Sequence, residues 1–170
     1  MGTLIRRVKP GDEGDLAYIQ TESWKAAFAD ILDADILDAD TLKKCTNIEK
    51  ATDMYKRLLD ENKGNGYLLF IDGKPHCIAW WDAARDAELS GKAELICIHS
   101  LKDKWHMGYG SQMMKQVLKE MKSAGYAEVV LWVFKENSRA IAFYEAFGFS
   151  ATTYHKECFG TVELCYSRSL

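Results

Sequence analysis

The stretch His106-Met107-Gly108-Tyr109-Gly110-Ser111 places two glycines one residue apart, where an apolar run has ended and a helical pattern begins. The start of a helix presents backbone N–H groups that have no intrahelical partner, together with a partial positive charge. Glycine lets such groups converge on an anion without a Cβ in the way. The chemistry this suits is the cradling of phosphate. It is not a P-loop, since no Gly-Lys-Ser/Thr follows, and the third glycine of a dinucleotide fingerprint would fall at Met113. A turn that needs an unusual φ accounts for the glycines equally well at this point.

Other reactive side chains are scattered. The five cysteines, Cys45, Cys77, Cys97, Cys158 and Cys165, have no CxxC spacing, and most lie in apolar runs where a thiol behaves as a small hydrophobe. Their number is odd, which fits a reducing, cytoplasmic compartment. His76-Cys77 and Cys97/His99 lack a second pair at ligand spacing, so no metal site is expected. Asp30, Asp33, Asp35, Asp38 and Asp40 form an acidic run that reads either as a solvated face or as an attractor of cations.

The elements around the glycines follow from periodicity. "TLIRRVK" alternates as a strand, and Asp12 after Pro10-Gly11 is a candidate helix cap. Leu16, Ile19, Trp24 and Ala27 continue a helical stripe to about Phe28, followed by an irregular stretch with room for a short helix. Asn47 caps a second pattern that carries Ile48, Ala51, Tyr55, Leu58 and Leu59. Asp72-Gly73 joins "YLLFI" to "HCIAWW" as a hairpin. "AELICIHSL" is a strand, 108–124 a helix closed by Gly125, and "EVVLWVF" a strand apolar on both faces, as central strands are. A helix opens at Asn137 or Ser138 and ends at Gly148, and two strands flank Gly160. Strand, helix and strand over residues 93–134 require a right-handed parallel crossover, while the hairpins require antiparallel pairs. The fold class expected is α/β (α+β), a mixed and mostly antiparallel sheet flanked by helices.

At 170 residues, nearly half of them apolar, the chain suits one domain over 1–170 with a sizeable core. The net charge of −3 argues against a nucleic-acid partner. No apolar run approaches the roughly 20 residues needed to cross a bilayer, and the N-terminus has no secretory pattern. No membrane association is expected.

Read together, "AELICIHSLKDKWHMGYGSQMM" and "LWVFKENSRAIAFYEAFGF" resemble the GNAT superfamily of acyl-CoA N-acetyltransferases. The family's signature N-x-x-A-x-x-F-Y-x-x-x-G-F is met by Asn137, Ala140, Phe143, Tyr144, Gly148 and Phe149. The loop departs from the family pattern, with Trp105 where arginine or glutamine is usual, Met107 before Gly108, Lys102 in place of proline and Cys77 in place of a strand glycine. These changes leave a backbone cradle intact and put a side-chain contact to the pyrophosphate in doubt, with Lys104 or His106 as substitutes.

The resemblance implies a splayed parallel strand pair whose gap takes the pantetheine arm of acetyl-CoA, paired with the backbone of Ile98, His99 and Ser100. It implies a pyrophosphate site at His106, Met107, Gly108, Tyr109, Gly110 and Ser111. Asn137 would bond the arm, and Ala140 and Phe143 would line its route. Tyr144 would be the acid that protonates the leaving thiolate, and Glu94 the base, acting directly or through water. Trp24, Phe28 and Trp81 fall where the family builds its acceptor pocket, with Trp80 and His76 nearby. The activity implied is direct acetyl transfer from acetyl-CoA to a small-molecule or peptide amine, without metal. The alternative is a GNAT-like module that binds acyl-CoA without turnover. A homodimer is compatible with the resemblance.

Overall fold

A computed structural model of the chain describes residues 2–31, 39–158 and 160–170. Asp33, Asp35 and Asp38 of the acidic run lie outside the described residues. The order is β1 (Thr3–Arg7), α1 (Glu13–Ile31), α2 (Ala39–Cys45), α3 (Ile48–Asp60), β2 (Asn65–Ile71), β3 (Lys74–Ala83), β4 (Ala93–Ser100), α4 (Tyr109–Ser123), β5 (Glu128–Phe134), α5 (Ser138–Ala146), β6 (Ser150–Cys158) and β7 (Thr161–Ser169). The sheet runs β1-β2-β3-β4-β5-β7-β6. Every neighbouring pair is antiparallel except β4 with β5, which α4 connects.

The alternation of side chains along the strands sorts the core onto two faces. Leu69, Ala79, Trp81, Leu95, Val129 and Leu131 meet Met113, Met114, Val117 and Met121 of α4. Leu68, Ile78 and Trp80 meet Leu16 and Ile19 of α1 and Ala51 and Tyr55 of α3. Trp80 lies so close to β2 that a Cβ at Gly66 would come 2.4 Å from its ring. The hairpin turn has Asp72 at φ 49° and Gly73 at φ 78°, the left-handed pair that a two-residue turn requires.

Asn47 and Asn137 cap as expected, accepting from the N–H of Lys50 at 3.0 Å and of Ala140 at 3.1 Å. Asp12 does not cap with its side chain. Its backbone carbonyl opens α1, but its carboxylate takes the Lys9 N–H and both arms of the Arg6 guanidinium, because the charge-assisted bonds of a fork outcompete a neutral amide. Ile48, assigned to the apolar stripe, is exposed; one turn on, Ala51 and Tyr55 carry the buried face.

Candidate active site

β4 and β5 are paired only over Ala93, Glu94 and Leu95 against Val129, Val130 and Leu131. A bulge in β4 follows: Trp80 of β3 faces Cys97 and Trp81 faces Leu95, leaving Ile96 extra. A bulge bends its strand and strengthens its twist. Beyond Leu95 the two strands part, and a cavity of about 1030 Å³ is lined by Ile96–Ser100 on one side and Trp132–Phe134 on the other.

One end of the cavity reaches the start of α4. Gly108 caps that helix at φ 86°, a left-handed conformation that glycine adopts at little cost. The first helical bond runs from the Gln112 N–H to the Gly108 carbonyl, so the N–H groups of Tyr109, Gly110 and Ser111 have no partner within the helix. His106, Gly108, Tyr109, Gly110 and Ser111 line the cavity, with Lys104 and Trp105. Met107 does not; it is 60 % exposed. His76 lies behind this loop, buried, its ring edge on Tyr109 with centroids 5.4 Å apart and its Nε2 without a partner among the described residues.

The middle of the cavity gathers the signature residues. Asn137, Ala140, Phe143 and Tyr144 line it from α5, opposite Ile98, His99 and Ser100. Burial and nearby Cys97 raise the Tyr144 phenol above its ordinary range, and the charge of Arg139 works the other way. Burial, with Arg139 adding to it, pushes the His99 imidazole down to about 4, so the ring is neutral at pH 7; its Nδ1 lies 3.3 Å from the Ser23 hydroxyl. Burial likewise pushes the Cys97 thiol up to about 12.

Aromatic and acidic side chains line the cavity as well. Trp24 and Phe28 of α1 line it, their ring centroids 4.6 Å apart, and Phe134 of β5 lies 6.3 and 6.1 Å from them. Asp82, Arg85 and Glu163 line it too, and Glu163 is the cross-strand partner of Phe134, on the same face. Burial raises the Glu163 carboxyl, while Lys156 and Arg85 pull it back.

Besides Met107, Trp81 and Glu94 also stand off the cavity wall. Trp81 lies on the opposite face of the sheet, buried against Tyr126, because alternation along β3 puts Cys77, Ala79 and Trp81 on the α4 side and Ile78 and Trp80 on the α1 side; Trp80 takes that place. Glu94 is 1 % exposed beside the cavity, and both its oxygens are held by the Arg85 guanidinium, one also by the Arg85 N–H. Asp82, Arg85, Phe134, Arg139 and Glu163 are wall residues that no spacing marked. Among the described residues no three His, Cys, Asp or Glu side chains form a metal cluster, and no helix is long and apolar enough to cross a membrane.

Solved acetyltransferases share this fold. The chain is similar to the PaiA N-acetyltransferase from Thermoplasma acidophilum in complex with coenzyme A, with 21 % identity, all of both chains covered and a TM-score of 0.75. It is also similar to an acetyltransferase from Thermus thermophilus (19 % identity, 100 % and 98 % covered, TM-score 0.72) and to a ribosomal-protein-alanine N-acetyltransferase from Brucella melitensis (14 %, 98 % and 99 %, 0.71). A search of curated proteins found no match. The model of the acetyltransferase (GNAT) family matches residues 32–149, so the chain belongs to the GNAT family of acetyltransferases.

Proposed function

We propose that residues 1–170 act as one domain that moves an acetyl group from acetyl-CoA to a primary amine by direct transfer. The observation that carries this reading is the parting of β4 from β5 after Leu95, over a cavity whose wall takes in the α4 N-terminus, Tyr144 and a set of aromatic and acidic side chains.

The residues present fit the co-substrate. The amides of Tyr109, Gly110 and Ser111 suit an anion. A Cβ at Gly110 would meet only ordinary contacts, 3.7 Å from Phe143 and 3.8 Å from the Ser100 hydroxyl. Packing within the chain therefore does not demand glycine there, and the close approach of a ligand does. The β4 groups that face the gap would hold the pantetheine arm, which satisfies backbone otherwise costly to bury. When bound, acetyl-CoA supplies an activated thioester.

The chain's own residues then divide the work. Tyr144, protonated at neutral pH, gives its proton to the departing thiolate. Asp82 and Glu163 draw the ammonium form of the acceptor into the cavity, where the faces of Trp24, Phe28 and Phe134 favour a cation. Glu94 stands off the wall with both oxygens held by Arg85, so its part as base is confined to a proton relayed through water. Cys97, its thiol held protonated, is no nucleophile, which supports direct transfer over an acetyl-enzyme.

Purified protein is given acetyl-CoA and a panel of polyamines, arylalkylamines, amino acids and peptides, and CoA release is followed. Release that depends on one class of amine is expected. Binding of acetyl-CoA without release on any amine would replace the enzyme with a non-catalytic acyl-CoA-binding module.

A further inference from the structure

Trp105 and Arg139 form a unit at the mouth of the gap. The Trp105 indole N–H donates to the Ser100 carbonyl at 2.9 Å. That carbonyl faces away from β3: the next residue, Leu101, sends its N–H to His76 on β3, and successive residues of a strand turn their backbone groups to opposite sides. The indole is therefore anchored on the side of β4 that β5 has left. On its ring lies Arg139, from the first turn of α5, with Cζ 3.5 Å from the ring centroid. Both residues line the cavity that Gly108, Tyr109, Gly110 and Ser111 also line. Arg139 is solvent-exposed, and its charge still reaches His99 and Tyr144 across the cavity.

Stacking engages the face of a guanidinium and leaves the N–H groups around its edge in their plane, directed outward. A stacked arginine is thus fixed in orientation while its edge still suits the paired oxygens of a phosphate. The helix start beside it supplies backbone N–H groups of the same sign.

We propose that Arg139, held flat by the Trp105 ring, is a side-chain ligand for the phosphate groups of the coenzyme, with Trp105 as its positioning residue. The proposal rests on the reading that this cleft binds acetyl-CoA. It moves the phosphate-binding side chain from the loop, where Lys104 and His106 were the expected substitutes, to α5. It also means that the Ser100 carbonyl already has one donor when the pantetheine arm arrives.

The test is calorimetric binding of acetyl-CoA, acetyl-dephospho-CoA and phosphate-free acetyl-pantetheine to the wild-type protein, R139Q, R139K, W105F, W105L and R139Q/W105L, each shown to be folded by circular dichroism. R139Q is expected to weaken acetyl-CoA by about 10- to 100-fold, the scale of a charged hydrogen-bonded contact, and to leave acetyl-pantetheine unchanged. A loss that persists with acetyl-dephospho-CoA assigns the contact to the pyrophosphate, and one that disappears assigns it to the 3′-phosphate. W105F, which keeps a ring, is expected to bind nearly as wild type. W105L should lose most of what R139Q loses, and the two losses should not add in the double variant. Equal weakening of all three ligands by R139Q, or no weakening of any, overturns the proposal. Wild-type protein that binds none of the three overturns the underlying reading and the proposal with it.

Discussion

Tyr144 brings a hydroxyl into a cavity where burial and Cys97 keep it protonated, and where the positive charge of Arg139 limits that rise. A phenol so placed donates a proton when negative charge builds on a nearby sulfur. Replacing Tyr144 by Phe removes the proton and keeps the ring that packs on Phe143 and Phe149. The expected result is a fall in kcat of about 10²- to 10⁴-fold with little change in the Kd for acetyl-CoA, measured by CoA release and calorimetry. An unchanged kcat removes the acid role. At this scale the sequence was legible where a pattern names positions: Asn137, Ala140, Phe143 and Tyr144 stand one after another in a signature and line one cavity. Arg139 stands inside that signature at a position it leaves blank. Its stacking depends on Trp105, thirty-four positions away, and no spacing rule links the two.

At the scale of elements, the cavity depends on how closely β2 and β3 approach. Gly66 lies opposite Trp80, and a Cβ there would come 2.4 Å from two atoms of the indole and 2.8 Å from Val8. Trp80 lines the cavity and packs on Tyr55 with centroids 5.6 Å apart, so it cannot retreat without disturbing α3. Gly66→Ala is expected to lower stability by about 1–3 kcal/mol, the usual result of overpacking a core, and to weaken cofactor binding as the indole moves into the cavity. Urea denaturation measures the first effect and calorimetry the second. The order of elements was legible because periods of two and 3.6 residues, caps and turn dipeptides are local. The side chain of Asp12 was not, since its choice of Arg6 over the helix amides depends on where β1 ends relative to α1. Nor was the face of Trp81: alternation sends Trp80 and Trp81 to opposite sides of β3, but which side meets α1 is settled only when the helices pack on the sheet.

At the scale of the whole molecule, a titratable ring stands half-buried on the cavity wall. His99 lies between α1 and the gap, with Ser23 on one side and the charge of Arg139 on the other, and its ring is pushed down to about 4. A histidine whose pKa is lower folded than unfolded favours the native state wherever both forms are neutral. As pH falls from about 6.5 to about 4, the unfolded chain takes up a proton that the folded one refuses. Stability should therefore rise with pH across that window and level off above it, by an amount on the order of 1–3 kcal/mol. Urea midpoints between pH 4 and 8 measure this, and His99→Gln should flatten the rise. A rise of equal size in the variant would assign it to other groups.

The sequence by itself determined the elements, their order, the mixed sheet and the identity of the loop and signature residues. Each of these is written in local periodicity or in a short motif carried within one segment. The tertiary structure decided what required separate segments to meet: the pairing of Glu94 with Arg85, the aromatic cluster shared by α1 and β5, and the Trp105–Arg139 stack. Contacts between distant segments are fixed by register, bulges and packing of the assembled chain, and these leave no signature in the spacing of residues along it.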